Sequence, residues 1–244
     1  MTDIAWRIGG PQGSGVDTAA RFFARSCAAA GLHVFGHREY YSNIMGRHSY
    51  YDVRISDRPL TCHRSKVDFM ASFDAETLSR HVMAVNEGGL LLHSKRDAAV
   101  PLARMSMLDE RVINDLSALL DKRSLQHGTD GLLTLAVERG VRVLPVDFGV
   151  ITGSLATEMD VPQARADRTM NTVSVAVCCS ALGVDRAYLI SALNIIFRGR
   201  KPIIELNTLA IDLAYEYTQE NLADQLVALT LKPGAASKER IYVN

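Results

Sequence analysis

A glycine-rich loop near the amino end is the part of the sequence best suited to bind a ligand. It runs from Gly9 to Gly15 with the sequence GGPQGSG, between a short apolar segment and a helical pattern that begins at Val16. In a strand–loop–helix arrangement the backbone N–H groups converge at the helix N-terminus. There the helix dipole adds positive potential, and the missing side chains let an anion approach. The sequence therefore predicts a loop that binds phosphate.

The glycine spacing matches known nucleotide-binding patterns only in part. Gly13 and Gly15 fit the first two glycines of the dinucleotide fingerprint G-x-G-x-x-G, but Thr18 stands at the third position, and no G-x-x-x-x-G-K-[ST] sequence is present. A tight turn without a ligand is the alternative interpretation. We favour phosphate because a glycine-rich loop at the first strand-to-helix turn of an α/β domain so often holds it.

A second candidate is the segment at residues 37–56, HREYYSNIMGRHSYYDVRIS, which leads polar residues into a strand expected to neighbour the first one. Its polar stretch contains Ser42, Asn43, Gly46, Arg47, His48 and Ser49. The guanidinium of Arg47 can pair with a phosphate through two hydrogen bonds. A solvated loop with a surface arginine fits the composition equally well. Glu39 stands near the distance expected of a ribose-binding acid, or it belongs to a surface charge cluster.

Alternating strand and helix patterns fill the first 150 residues and must position these two segments. Strands are predicted at residues 5–8, 32–35, 50–56, 67–73, 89–93 and 141–146, and helices at residues 16–30, 75–85 and 131–139. The alternation at residues 50–56 predicts a strand near a sheet edge with one wet face. The overall pattern predicts an α/β fold, a three-layer α/β/α module with a mostly parallel sheet.

A helical C-terminal subregion is predicted after the last strand. Its helical patterns cover residues 162–182, 186–197 and 203–221. The following KPGAAS segment at residues 232–237 has the composition of a linker, and the final ERIYVN begins with the alternation of a strand. We therefore expect one domain at residues 1–231, and at residues 232–244 a linker that can lead into the first strand of a following domain.

Composition and charge argue against several classes of partner. Lys and Arg together number 27 and so do Asp and Glu, and no long basic run is present, so binding to nucleic acid is disfavoured. The longest nearly apolar stretch, at residues 173–182, is far shorter than the roughly 20 residues that span a bilayer, and the first residues lack a signal-peptide pattern. We expect a cytoplasmic protein without membrane contact.

The sequence shows no self-contained catalytic or metal-binding pattern. The four cysteines form no C-x-x-C unit and are predicted to be buried thiols, and the seven histidines show no H-E-x-x-H spacing. No serine lies in a G-x-S-x-G sequence. We therefore expect no catalytic residue and no metal ligand in this chain, and a domain that presents its ligand to chemistry carried out elsewhere.

Three motifs taken together resemble the gamma domain of 2-oxoacid:ferredoxin oxidoreductases, in particular the form fused to the N-terminus of the alpha subunit. They are the loop GGPQGSGV, the segment YYSNIMGRHSY and the turn FDAET, which occur in this order along the chain. The resemblance covers nearly all of the chain. The REYYSNI sequence resembles the 2-oxoglutarate and broad-specificity branch, which favours 2-oxoglutarate as the substrate.

The resemblance implies an α/β module of a heteromeric enzyme. Such enzymes oxidatively decarboxylate 2-oxoacids on thiamine diphosphate, pass electrons through iron-sulfur clusters to ferredoxin, and release an acyl-coenzyme A. Thiamine diphosphate lies in them between an alpha domain and the beta subunit, and the Tyr-Pro-x-Thr-Pro segment of that alpha domain does not occur in this sequence. The expected partners are the thiamine-binding alpha domain, the beta subunit and, through the complex, ferredoxin.

By the same resemblance, the gamma domain contributes to coenzyme A binding and to closure of the active site. The backbone donors to a coenzyme A phosphate are expected from Gly13, Ser14 and Gly15. The polar contacts nearby are expected from Asn43, Arg47 and His48.

Two other functions stay open at this point. One is a free-standing oxidoreductase that binds NAD or a flavin at residues 13–15. The other is an interaction module whose glycine loop is purely structural and whose helical second half docks partner subunits.

Overall fold

One mixed sheet organises the part of the chain that the structure describes. The computed structural model describes residues 2–40 and 48–226. Within these residues the strands are β1 (Asp3–Pro11), β2 (His33–Tyr40), β3 (His48–Ser56), β4 (Val67–Ser72), β5 (Val85–Ser94) and β6 (Arg142–Val146). The predicted boundary between residues 231 and 232 lies outside the described residues.

The strand order is β2-β3-β1-β4-β5-β6. β1 pairs in parallel with β4, β4 with β5, and β5 with β6, whereas β3 is antiparallel to both of its neighbours, β1 and β2. Five strands therefore run in one direction, and the predicted mostly parallel sheet is confirmed. The predicted pairing of the third strand with the first is also confirmed.

Helices cover both faces of the sheet. They are α1 (Val16–Ala29), α2 (Ala75–His81), α3 (Glu110–Asp121), α4 (Thr129–Glu138), α5 (Phe148–Glu158), α6 (Gln163–Ala166), α7 (Met170–Ala181), α8 (Arg186–Ile196) and α9 (Lys201–Leu222). Among the described residues, no helix has the length and apolar character needed to cross a membrane.

Two hydrophobic cores, one on each face, give the three predicted layers. On one face Trp6 and Ile8 pack with α1, α5, α7, α8 and α9, and the Trp6 ring stacks on Phe23 with 4.1 Å between ring centroids. On the other face Met70 and Leu91 pack with α2, α3 and α4. Because side chains alternate along each strand, one sheet supplies both cores.

The helical region differs in detail from the sequence prediction. The predicted helix at residues 162–182 is divided into α6, a short 3-10 turn at residues 167–169, and α7. Helix α5 was not predicted, because its two glycines and several β-branched residues weaken the helical signal. It begins where the Asp147 side chain accepts hydrogen bonds from the Gly149 and Val150 amides at 3.1 and 3.4 Å.

The prediction that one face of β3 is exposed to solvent is wrong. Asp52, on the face predicted to be wet, has only 4% of its surface exposed. The strand lies one position inside the sheet edge, and Asp52 faces Arg7 directly across the β1–β3 ladder. A charged residue can be buried there because it has an opposite charge with which to pair.

The predicted burial of the cysteines holds for three of the four. Cys27, Cys178 and Cys179 are buried, whereas Cys62 is exposed. Cys62 lies between β3 and β4, where its Sγ accepts a hydrogen bond from Arg54 Nη1 at 3.3 Å. The prediction failed for Cys62 because its segment contributes no strand or helix that packs on a core.

Candidate functional site

The glycine loop lies where the sheet changes its direction of winding. From β1 the chain passes through α1 to β2 on one side of the sheet, and it later returns to β4 on the other side of β1. Helices α1 and α2, which follow β1 and β4, pack on opposite faces. In open α/β sheets, ligands bind in the crevice at the carboxyl ends of two such strands.

The loop conformation depends on its glycines. Gly13 and Gly15 have φ values of 86° and 87°, in the left-handed region that favours glycine. Between them, the Ser14 amide donates to the Pro11 carbonyl oxygen at 3.1 Å, and the Ser14 hydroxyl donates to the same oxygen at 2.7 Å. Gly15 then precedes α1 directly and provides no side-chain cap.

This geometry leaves main-chain donors at the start of α1. The first N–H groups of a helix have no acceptor within the helix, and here no capping side chain replaces one. A side chain at Gly13 would extend into open space, so the loop surface is accessible at that point. Because the Ser14 amide is already bonded to Pro11, the donors that an anion can use are those of Gly13, Gly15 and the first turn of α1.

A buried polar cluster lies at the end of β1 on the α2 side of the sheet. We call Arg7, Asp52, His81 and His48 the polar cluster; their exposed fractions are 5%, 4%, 4% and 1%. Arg7 donates to both carboxylate oxygens of Asp52, at 2.6 and 2.7 Å, and its guanidinium lies 4.4 Å from the centroid of the Tyr50 ring. The bidentate pair places two opposite charges in direct contact, so each compensates the burial of the other.

The same arginine determines the tautomers of both histidines. Arg7 Nη1 lies 3.3 Å from His81 Nδ1, and because arginine can only donate, His81 accepts at this atom. A neutral His81 then carries its proton on Nε2 and donates it to His48 Nε2 at 2.8 Å. His48 accepts at Nε2 and carries its own proton on Nδ1.

Both imidazoles are neutral at pH 7. Burial, together with the positive charges of Arg80 and Arg7, lowers the pKa of His48 to about 4. Burial and the charge of Arg7 hold the pKa of His81 well below its ordinary value. His48 lies opposite Pro11 in the β1–β3 ladder, so the polar cluster reaches the base of the glycine loop.

Carboxylates border the loop on the β4 side. Asp74 caps α2 by accepting from the Thr77 amide at 2.7 Å and from its hydroxyl at 3.0 Å, and burial raises the pKa of Asp74. Burial and the nearby charge of Asp74 raise the pKa of Asp97 to about 6, against the opposite effect of Arg96. A side chain at Gly10 would approach Asp74 Oδ2 to 3.4 Å, so this carboxylate adjoins the glycine loop.

Comparison with known proteins decides the family. A family model described as pyruvate ferredoxin/flavodoxin oxidoreductase matches residues 5–217. The chain belongs to this family. Within the pyruvate ferredoxin/flavodoxin oxidoreductase family, the alpha subunit of 2-oxoacid:ferredoxin oxidoreductase 1 from Sulfurisphaera tokodaii is 32% identical over 99% of this chain and 37% of its own length. The alpha subunit from Saccharolobus solfataricus is 35% identical over 88% of this chain and 34% of its own length.

Solved structures with the same fold have lower sequence identity. A 2-oxoglutarate:ferredoxin oxidoreductase from Magnetococcus marinus, with 2-oxoglutarate, coenzyme A and succinyl-CoA bound, is 20% identical with a TM-score of 0.61, over 90% of this chain and 32% of its own. The gamma subunit of a keto/oxoacid ferredoxin oxidoreductase from Geobacter sulfurreducens is 16% identical with a TM-score of 0.56, over 89% of this chain and 99% of its own. At these identities the similarity shows the fold alone.

The structure brings four of the six predicted site residues to one place. Gly13, Ser14 and Gly15 form the loop, and His48 lies at its base. The remaining two, Asn43 and Arg47, lie outside the described residues. Glu39 is bonded to His37 at 2.8 Å, and β3 separates its strand from β1. This contact agrees with the surface charge cluster considered for Glu39.

Sequence reasoning missed the buried Arg7 and His81 and the half-buried Asp74 and Asp97. One signal for the first of them was present, because Arg7 interrupts an otherwise apolar strand and a buried charge needs a partner. Nothing in the sequence marked His81 as its neighbour. Within residues 2–40 and 48–226, no group of three or more His, Cys, Asp and Glu side chains is arranged to hold a metal ion.

Proposed function

We propose that this chain is the gamma domain of a heteromeric 2-oxoacid:ferredoxin oxidoreductase, and that its glycine loop binds a phosphate of coenzyme A. The complex would oxidatively decarboxylate a 2-oxoacid to an acyl-coenzyme A and reduce ferredoxin. The observation that carries the proposal is the loop itself. Two left-handed glycines precede an uncapped helix N-terminus at the point where the sheet changes direction.

The relatives support a role within a larger assembly. The relatives described above are alpha subunits, and this chain spans about a third of their length. The domain therefore supplies one part of the proposed enzyme. Its partners in the proposal are the thiamine-binding alpha domain and the beta subunit of the same enzyme, and ferredoxin reaches it through the complex.

The redox cofactors belong to other parts of the proposed complex. Thiamine diphosphate supplies the chemistry of decarboxylation and iron-sulfur clusters carry the electrons. An iron-sulfur cluster commonly needs four cysteine thiolates. In this chain three of the four cysteines are buried thiols in α1 and α7, and burial raises the pKa of each. This chain's own part in the proposal is to bind and orient coenzyme A and to help close the active site.

The substrate of the proposed complex is 2-oxoglutarate. The REYYSNI sequence, which resembles the 2-oxoglutarate and broad-specificity branch, supports this choice. Asn43, Arg47 and His48 would add polar contacts beside the phosphate. Of these, His48 lies at the base of the loop.

A charge placed in the loop tests the phosphate role. The substitution Gly13→Asp in the assembled enzyme should weaken coenzyme A binding by about fivefold or more, which is on the order of 1 kcal/mol, because a carboxylate would occupy an anion site. The measurement is titration calorimetry with coenzyme A, together with the rate of acyl-coenzyme A formation.

Gly88→Asp is the matched control. Gly88 has a φ of 74° and open space around its would-be side chain, as Gly13 has, but it lies near the start of β5, away from the carboxyl ends of the parallel strands. Unchanged coenzyme A affinity in Gly13→Asp, with folding intact, would overturn the phosphate role and favour a docking module. A flavin absorbance spectrum in the purified chain would instead support a free-standing oxidoreductase.

A further inference from the structure

A partly open cavity lies among the helices beside the glycine loop. Its volume is about 250 Å³, and it is bounded by α1, α6 with the following 3-10 turn, α7, the end of α8 and the start of α9. Its walls are mainly apolar and are formed by Ala19, Phe22, Leu193, Ile196, Phe197 and Leu206. The volume is somewhat below the roughly 300–1,000 Å³ of sites for drug-sized ligands, so it suits a small molecule.

Two arginine residues line this cavity. Arg165 in α6 and Arg168 in the following 3-10 turn both line it, and both residues are exposed. Neither side chain forms an ion pair or hydrogen bond with another described residue, although the Arg165 amide donates to the Pro162 carbonyl oxygen at 2.8 Å. The neighbouring Asp167 accepts a hydrogen bond from Gln163 at 2.8 Å. The entrance therefore offers two guanidinium groups to an anion.

The polar groups on the inner wall are already bonded to each other. The Thr172 hydroxyl donates to Asn207 Oδ1 at 2.6 Å, and Asn207 Nδ2 donates to the Ile203 carbonyl oxygen at 2.8 Å. A ligand inside the cavity therefore meets apolar surface and satisfied polar groups. Such a site favours hydrocarbon inside and negative charge at the entrance.

We propose that this cavity binds a small amphiphilic carboxylate, with its hydrocarbon chain between α1, α8 and α9 and its carboxylate on Arg165 and Arg168. The guanidinium fork matches a carboxylate through two parallel hydrogen bonds. The proposal does not depend on coenzyme A binding at the glycine loop. The two sites are nevertheless neighbours, because Asn171 lines the cavity and its Nδ2 donates to the Ser14 carbonyl oxygen at 3.3 Å.

A series of probes tests the chemistry of the ligand. Butanoate, hexanoate, octanoate and decanoate are titrated calorimetrically into the full 244-residue chain. Affinity should rise with chain length until the cavity is filled, because each added methylene buries apolar surface. Octanol should bind at least about tenfold more weakly than octanoate. Octyl phosphate shares the anionic head, and its affinity relative to octanoate shows which head group the two arginines prefer.

Charge and volume variants locate the site. The double variant Arg165→Gln/Arg168→Gln should weaken octanoate binding about tenfold or more and leave octanol binding unchanged. Arg111→Gln is the matched control, because Arg111 is an exposed arginine of α3 on the other face of the sheet. Ile196→Trp should block both probes by filling the cavity, and its thermal unfolding reports whether the fold is kept.

Three results would each overturn the proposal. They are the absence of saturable binding for every carboxylate in the series, equal affinity for octanoate and octanol, and unchanged octanoate affinity in the double arginine variant. The double arginine variant alters only exposed side chains, so it decides the question even if Ile196→Trp does not fold.

Discussion

The glycine loop and the polar cluster lie at the end of the same strand and are built in opposite ways. The loop offers main-chain groups at a surface where a side chain at Gly13 would meet open space. The cluster consists of side chains that are at most 5% exposed and are bonded to one another. Substitutions in the loop should therefore lower the free energy of unfolding only slightly. A substitution in the cluster should lower it much more, because it leaves a buried partner unsatisfied.

The largest expected effect comes from breaking the buried ion pair. Asp52→Ala leaves the Arg7 charge buried without its carboxylate and should lower the free energy of unfolding by about 3–5 kcal/mol. Urea unfolding measures this loss. Asp212→Ala is the control, because the Arg186–Asp212 pair has the same 2.6 Å contact, with the arginine 58% and the aspartate 37% exposed. It should cost less than about 1 kcal/mol.

A second variant separates charge burial from packing. Replacing both partners, as Arg7→Met/Asp52→Leu, should restore much of the stability lost in Asp52→Ala, because no unpaired charge is left. Equal losses in Asp52→Ala and Asp212→Ala would contradict the contrast between the buried cluster and the surface.

The next effect is a dependence of stability on pH. The pKa of His48 is about 4 in the folded chain and about 6.5 in the unfolded chain, so between these values the unfolded chain binds the extra proton. The free energy of unfolding should fall as the pH is lowered from about 6.5 to 4, by about 3 kcal/mol from His48 alone. His81, with its pKa also lowered, acts in the same direction.

Asp97 opposes this fall in the free energy of unfolding, as does Asp74, because burial raises the pKa of each carboxyl. Asp97 is replaced so that the contribution of His48 can be measured. The pKa of Asp97 is raised to about 6, so as the pH falls the folded chain binds this proton before the unfolded chain does. Protonation of Asp97 therefore increases the free energy of unfolding as the pH falls through about 6. The measurement is therefore urea unfolding of Asp97→Asn between pH 7.5 and 4.5. Nitrogen-15 NMR of the same variant should show neutral His48 with its proton on Nδ1 at pH 5.5. Titration of His48 near 6.5 would contradict the lowered pKa, and a proton on Nε2 of the neutral ring would contradict the hydrogen-bond assignment.

A smaller effect is expected from the two left-handed glycines. Gly13→Ala should cost about 1 kcal/mol through backbone strain alone, because its side chain meets no atom. Gly15→Ala should cost about 2 kcal/mol, because the added carbon also collides with the Asn171 amide. Thermal unfolding of both variants, repeated in an Asn171→Ala background, measures the difference. The difference in stability between Gly13→Ala and Gly15→Ala should be smaller in the Asn171→Ala background. An unchanged difference would rule out the collision with Asn171.

The smallest effect is expected at Ser14. Its hydroxyl donates to the Pro11 carbonyl oxygen at the surface, so Ser14→Ala should lower stability by about 0.5 kcal/mol. Coenzyme A affinity of the assembled enzyme should not change, because the proposed donors are main-chain groups. A large loss of affinity in Ser14→Ala would shift the proposed recognition from the main chain to this side chain.

The sequence predicts the parts of the fold that depend on local pattern. Apolar periodicity located the strands around the glycine loop, and the glycines marked the turn itself. The pairing of Arg7 with Asp52 could not be predicted, because the two residues are 45 positions apart and meet only through the β1–β3 register. His81 joins them from a helix on another segment, and no spacing rule connects it to either residue.

The helical region also contains features that the sequence pattern could not predict. The pattern at residues 162–182 continues through the turn at residues 167–169, so the division between α6 and α7 leaves no mark in the periodicity. The cavity is lined by residues from α1, α6, α7, α8 and α9, which come together only after the helices pack on the sheet. A loop can be recognised from seven consecutive residues, whereas a pocket formed by five helices cannot be recognised from any single segment.

The antiparallel position of β3 between β1 and β2 has a consequence for synthesis of the chain. The neighbours of β1 in the sheet are β3 and β4, and β2 pairs with β3. A nascent chain that ends before residue 48 therefore has the glycine loop but no strand to pair with β1. The loop acquires its supporting ladder only once the ribosome has made residues up to Ser56, so the proposed anion site is completed late relative to its place in the sequence.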